Sequence, residues 1–163
     1  MNSVYKRIYK TPHGFSNIIM ESNGEHITSV HFIDGNVPDL PDCDAGLFHT
    51  TEQWLDAYFS GRAPGATPRY RIYGSTPFRD MVIDIVKQIP YGKTMTYGEI
   101  AQKIAHTRGI PQVSARAVGG AIGWNPICII IPCHRVVGVG GKITGYNGGI
   151  KNKIALMRHE DIN

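Results

Sequence analysis

Cysteine is scarce in this chain. Three residues, Cys43, Cys128 and Cys133, stand among 163, an odd and sparse set that argues against a disulfide framework and leaves a metal or a reactive thiol to consider. No apolar run approaches the ~20 residues that a bilayer span requires, and the start, Met1 to Arg7, never enters the apolar stretch of a secretory signal. A cytoplasmic, reducing setting is expected, with no membrane partner. Charge is modest as well, 18% against 42% hydrophobic residues, the balance of a globular chain and not of a disordered one. The length suits one well-packed domain or two small ones. Positive charge is almost missing from the first part: residues 1–66 carry four Lys/Arg against eight Asp/Glu, whereas residues 67–163 carry 13 against five, a net +8. Such a basic block fits a polyanion, nucleic acid before membrane, because no basic amphipathic helix with a bulky apolar face accompanies it.

Two strand-like runs, Gly14 to Met20 and His26 to Ile33, flank the turn residues Ser22-Asn23-Gly24, and Val4 to Lys10 is a candidate third strand. A small antiparallel meander is expected. After the turn residues Pro38 to Asp44, the spacing of Leu47, Phe48, Trp54, Leu55, Tyr58 and Phe59 predicts a helix. The Gly/Pro-rich stretch Gly61 to Pro68 coincides with the change of charge sign, and Arg69 to Tyr73 is a candidate last strand of the first part, so domains of residues 1–74 and 75–163 are expected. Thr76 before Pro77 caps a helix carrying Phe78, Met81, Val82, Ile85, Val86 and Ile89. Thr96-Tyr97-Gly98-Glu99 is a capping box that opens a helix with Ile100, Ala101, Ile104 and Ala105 inward. A further helix over Val113 to Ile122 follows a short turn, a helix-turn-helix arrangement. Its side chains are small nearly all round, with Arg116 the one long polar group. That pattern serves either tight packing in a core or close approach to a DNA groove.

Asn125-Pro126 makes a turn, Ile127 to Ile131 reads as a buried strand, and Pro132 stops it immediately before Cys133-His134-Arg135. A thiol beside imidazole and guanidinium has the cationic neighbours that favour the nucleophilic thiolate. Cys128, between isoleucines, is a structural residue, and Cys43 in an acidic loop is inert. A zinc site on Cys128, Cys133 and His134 lacks the remaining ligands, and no metal is expected. Gly138-Val-Gly-Gly-Lys142-Ile143 lacks the first glycine of a P-loop and its Ser/Thr. A thiol hydrolase with His134 as direct base is disfavoured because adjacent residues rarely face each other.

The run Ile131-Pro-Cys-His-Arg-Val-Val137, preceded by Ala115-Arg-Ala-Val-Gly-Gly120 and by Asn125-Pro126, resembles the signature of the O6-alkylguanine-DNA alkyltransferases, also called methylated-DNA–protein-cysteine methyltransferases. The match runs from about Phe78 to Glu160, while residues 1–70 resemble the family in layout alone. The resemblance implies an α+β fold, with an N-terminal ribonuclease-H-like antiparallel sheet and helices followed by a C-terminal winged-helix-like domain with a helix-turn-helix. It implies stoichiometric repair: Cys133 takes the alkyl group from O6-alkylguanine, with O4-alkylthymine left open as a second substrate, and no cofactor takes part. Glu160 would orient His134, His134 would take the Cys133 proton through a water, and Asn125 would brace them. Tyr97 would donate to the departing guanine and crowd the target phosphate. The carbonyls of Cys133 and Val136 would accept from the guanine amino group, Tyr146 and Asn147 would lie in a lid over the base, and Ile122 would form a wall. The resemblance further implies a monomer on the minor groove of double-stranded DNA, with Ser114 and Ala115 allowing close approach and Arg116 filling the gap left by an extruded base; Arg135 is expected to join them on DNA. Two other readings remain: a lesion-binding alkyltransferase-like protein, which would lack the reactive cysteine, and a winged-helix regulator with a coincidental thiol.

Overall fold

A computed structural model describes residues 4–36, 38 and 46–163; Cys43 and most of the expected turn after Pro38 lie outside the described residues. The architecture is α+β and divides into two units, Met1–Tyr73 with Pro126–Ile130 and Gly74–Asn125 with Ile131–Asn163.

In the first unit, strands β1 (Tyr5–Tyr9), β2 (Asn17–Ser22) and β3 (Ile27–Ile33) form an antiparallel sheet in that order. Its register pairs Ile8 with Ile19 and Met20 with Val30. Helix α1 (Gly46–Phe59) buries Phe48, Thr51, Leu55 and Tyr58 on one face, as the helical spacing requires. Together with Ile18, Met20, Ile27 and Val30 these residues form an apolar core. The Tyr9 hydroxyl donates to Asp56 at 2.8 Å, and burial together with that carboxylate pushes the Tyr9 phenol well up.

Two expected strands contract. Arg69 to Tyr73 keeps a single bridge, Ile27 with Tyr70. The stretch Ile127 to Ile131 is buried as expected, yet it forms isolated bridges in place of a continuous strand, with Ile127 bridging Val30. The reason is Ile129, which turns the chain at φ 68°, with the Ile130 N–H donating to the Cys128 carbonyl at 2.8 Å. A β-branched residue in that region costs about 1–3 kcal/mol and persists where its surroundings hold it; here Ile127, Ile129 and Ile131 are almost wholly buried.

The second unit is helical. Helix α2 (Pro77–Val86) starts at the Thr76 cap, whose hydroxyl accepts from Arg79 N, and buries Val82, Ile83 and Val86. Helix α3 (Tyr97–Arg108) opens on the expected capping box, Thr96 N to Glu99 Oε2 at 2.7 Å and Glu99 N to Thr96 Oγ1 at 3.1 Å, and closes at Gly109, φ 62°. Its buried residues are Ile100, Ala101, Ile104 and Ala105. Helix α4 (Ala115–Gly123), capped by Ser114, packs against α2 and α3. Two-residue strands β4 (Met95–Thr96) and β5 (Val136–Val137) pair in parallel. That pairing lays the residues just after Cys133 against the entry to α3, where Tyr97 begins. Helix α5 (Ile150–His159) completes the unit.

Candidate active site

Pro132 ends the buried isoleucine run, and Cys133–Arg135 form one turn of 3-10 helix closed by the Val136 N–H on the Cys133 carbonyl. Cys133 is 2% exposed and Asn125 1%. The Asn125 side-chain amide donates to Cys133 Sγ at 3.1 Å and also approaches the Ile131 carbonyl at 3.3 Å, so the turn before Pro126 serves as a brace on the sulfur. A donor on sulfur favours the thiolate over the thiol.

The neighbouring imidazole is wholly buried. His134 Nε2 lies 2.6 Å from Glu160 Oε1. Burial holds His134 below its ordinary value of 6.5, Arg135 and Lys153 push the same way, and the hydrogen bond and charge of Glu160 oppose them. Burial wins, so the ring is neutral at pH 7 and able to accept a proton. Glu160 in turn is held by Arg135, Nε to Oε2 at 2.8 Å and Nη2 to Oε1 at 3.0 Å, and by the Gly92 N–H at 3.1 Å. Gly92 has φ +73°, and a side chain there would come within 3.2 Å of the Glu160 carbonyl, so the turn needs glycine. The Tyr91 hydroxyl donates to the His159 carbonyl at 3.1 Å, and burial and the Glu160 charge push its phenol up.

Arg135, expected on DNA, has a second place in this geometry, beside Glu160. Its Nη1 also donates to the Ile89 carbonyl at 2.7 Å, and the guanidinium lies 5.7 Å from the Tyr91 ring centroid. A carboxylate with no exposed surface requires such a counter-ion, and three of the guanidinium donors are engaged by Glu160 and Ile89.

A cavity of about 550 Å³ is lined by Tyr97, Ala115, Arg116, Gly119, Ile122, Gly123 and the segment from Thr144 to Asn147, with Cys133 outside that lining. It collects Tyr97, Ile122, Tyr146, Asn147, Ala115 and Arg116 from the expected site; Ser114 is the exposed cap of α4. Most of the small residues of α4 face outward, Ala121 excepted. Val118, Ala121 and Ile122 turn inward, while Ala115, Arg116, Ala117, Gly120 and Gly123 are exposed.

Sequence reasoning missed Lys153. Its ammonium is buried, donates to the Val136 carbonyl at 2.6 Å and approaches the Gly145 carbonyl at 3.5 Å. Burial lowers its pKa and the Cys133 charge raises it. The signal was present: Lys153, Leu156, Met157 and Glu160 follow the period of a buried helical face, so two charged residues sit on an apolar stripe. Val136 O and Cys133 O thus each already accept one protein donor, and a carbonyl has a second lone pair to offer.

A family described as "6-O-methylguanine DNA methyltransferase, DNA binding domain" matches residues 77–162. The methylated-DNA–protein-cysteine methyltransferase of Methanosarcina acetivorans is 39% identical, over 96% of this chain and 98% of that protein. The Mycobacterium leprae protein of the same name is 38% identical over 88% and 85%. Among solved structures, the Mycobacterium tuberculosis O6-methylguanine methyltransferase superposes with TM-score 0.79 at 37% identity, covering 97% of this chain and 93% of the other. A complex of the Mycobacterium tuberculosis OGT with DNA gives 0.78 at 37%, covering 96% and 92%.

Proposed function

Because the chain belongs to the 6-O-methylguanine DNA methyltransferase family, we propose that Cys133 is the residue onto which it moves the alkyl group. The protein is a DNA-repair enzyme of the suicide type: the methyl group of O6-methylguanine in DNA passes irreversibly to its own cysteine, one event per molecule. The assignment to Cys133 rests on the array around one sulfur, with the Asn125 amide at 3.1 Å and the His134–Glu160 pair at 2.6 Å next to it in the chain.

With His134 Nε2 engaged by Glu160, Nδ1 takes the role of base and draws the Cys133 proton through a bridging water. The adjacency of thiol and ring then needs no direct contact. The thiolate attacks the alkyl carbon from the side opposite O6; the S–C bond forms as the C–O bond breaks, and the electron pair leaves on guanine. Tyr97 donates its hydroxyl proton to the departing base. Asn125 steadies the sulfur, and the second lone pairs of the Cys133 and Val136 carbonyls accept from the guanine amino group.

A base inside a duplex is out of reach, so the nucleotide must be extruded, at a cost of a few kcal/mol. Helix α4 enters the minor groove, where Ser114 and Ala115 permit close approach and Arg116 occupies the vacated stack. The extruded base enters the cavity of about 550 Å³, with Ile122 as wall and Tyr146 and Asn147 as lid. The protein acts as a monomer in the cytoplasm. Cys133 disfavours the non-catalytic lesion-binding reading.

Cys133→Ser tests the assignment, because a hydroxyl does not supply the anion at neutral pH. In a single-turnover assay on an O6-methylguanine duplex, the variant is expected to transfer no detectable methyl while retaining most DNA binding. Transfer at an appreciable fraction of the wild-type rate would remove Cys133 from the reaction.

A further inference from the structure

Tyr97 is gripped from three sides. Its ring rests on the α4 backbone at Gly119, where an added Cβ would lie 3.8 Å from Tyr97 Cδ1 and Cε1. The Lys153 ammonium stands 6.0 Å from the ring centroid. Its hydroxyl oxygen accepts from the Thr144 hydroxyl, Oγ1 to Oη at 3.3 Å. Thr144 comes from the segment that continues into Tyr146 and Asn147, and both partners line the cavity.

A phenol has one proton to give and lone pairs to receive. While Thr144 donates to the Tyr97 oxygen, the tyrosine proton cannot point back at Thr144 and stays available to the cavity. We propose that Thr144 is a positioning residue for Tyr97: its hydroxyl holds the phenol with its proton directed at the departing base and ties that orientation to placement of the 144–147 segment. The inference rests on Tyr97 as proton donor. As the S–C bond forms and the C–O6 bond breaks, the electron pair moves onto guanine, which takes the Tyr97 proton; the phenolate oxygen keeps the Thr144 hydrogen bond and recovers a proton from solvent. Placing the donor partner on this segment makes the acid complete only when the segment is in position.

The test uses the full chain and two alkylating agents that differ in leaving group. Guanine needs a proton as it leaves O6-benzylguanine; iodide leaves iodoacetamide without one. Thr144→Val keeps the shape and removes the hydroxyl. Loss of one orienting hydrogen bond should slow benzyl transfer about three- to tenfold, leave iodoacetamide alkylation of Cys133 unchanged, and be restored by Thr144→Ser. In a Tyr97→Phe background, itself slowed, Thr144→Val should add nothing. A Tyr97→Phe protein that is slow beside a Thr144→Val protein at wild-type rate overturns the role of Thr144 alone. A Tyr97→Phe protein at wild-type rate overturns the donor role of Tyr97 and this inference with it. Equal slowing toward iodoacetamide, or a further loss in the Tyr97→Phe background, shows that Thr144 acts on the thiol or the fold and overturns the inference as well.

Discussion

Glu160 carries more of the site than its position near the end of the chain suggests. One carboxylate accepts from Arg135 twice and from Gly92 N, and pairs with His134. Its hydrogen bond, and after it its charge, raise His134 against burial. Removing that charge makes the imidazolium harder to form, and hence the thiolate harder to reach by proton transfer. Glu160→Gln should therefore transfer more slowly at pH 7 and recover as alkaline pH supplies thiolate directly, its pH–rate curve displaced upward in pH. Single-turnover rates across pH, on protein checked for its fold by circular dichroism, measure this, and superposed curves from folded proteins would exclude Glu160 from the relay. The displacement belongs to the coupled groups and not to the sulfur alone. In the chain itself, His134 and Arg135 declared themselves by standing next to Cys133; the pairing of His134 with Glu160 came through the family resemblance alone, and that Arg135 joins it was not legible, because no local pattern reports a contact over 25 residues.

Helix α3 is the element most fully written in the sequence. Its capping box and four buried residues agree with the pattern, because caps and a 3.6 period are local rules. Helix α4 is harder to read, since small residues satisfy both a core and a groove; its exposed face decides between them. The failure at Ile127 to Ile131 has the opposite cause: an apolar run reports burial and says nothing of a left-handed turn at Ile129. Exposed Arg116 yields a prediction at this scale. Arg116→Ala should weaken binding to duplex DNA and slow repair of duplex substrate, yet leave reaction with free O6-benzylguanine nearly unchanged, because a free base needs no extrusion. Parallel single-turnover assays decide; equal slowing of both substrates would make Arg116 part of the pocket or the fold.

For the whole molecule, the buried neutral His134 predicts how stability responds to acid. Its folded value lies below the ordinary 6.5. Above 6.5 both folded and unfolded chains are neutral there and the contribution is fully present. As pH falls below 6.5 the unfolded chain binds the proton first, and stability is lost until the folded value is passed. Urea midpoints should decline between about pH 7 and pH 5, and His134→Gln should flatten that decline; parallel slopes for the two proteins would place the sensitive group elsewhere. The change of charge sign falls at Gly61 to Pro68, ahead of the division between Tyr73 and Gly74, and the return of Pro126–Ile130 to the first unit had no marker in the sequence. That return has a consequence for the order in which the protein is made. The Val30 N–H and C=O find their partners in Pro126 and Cys128, so during synthesis the rim of the first sheet waits until α2, α3 and α4 have left the ribosome. The N-terminal part is the first to be translated and among the last to be sealed, and the segment that seals it ends three residues before the nucleophile.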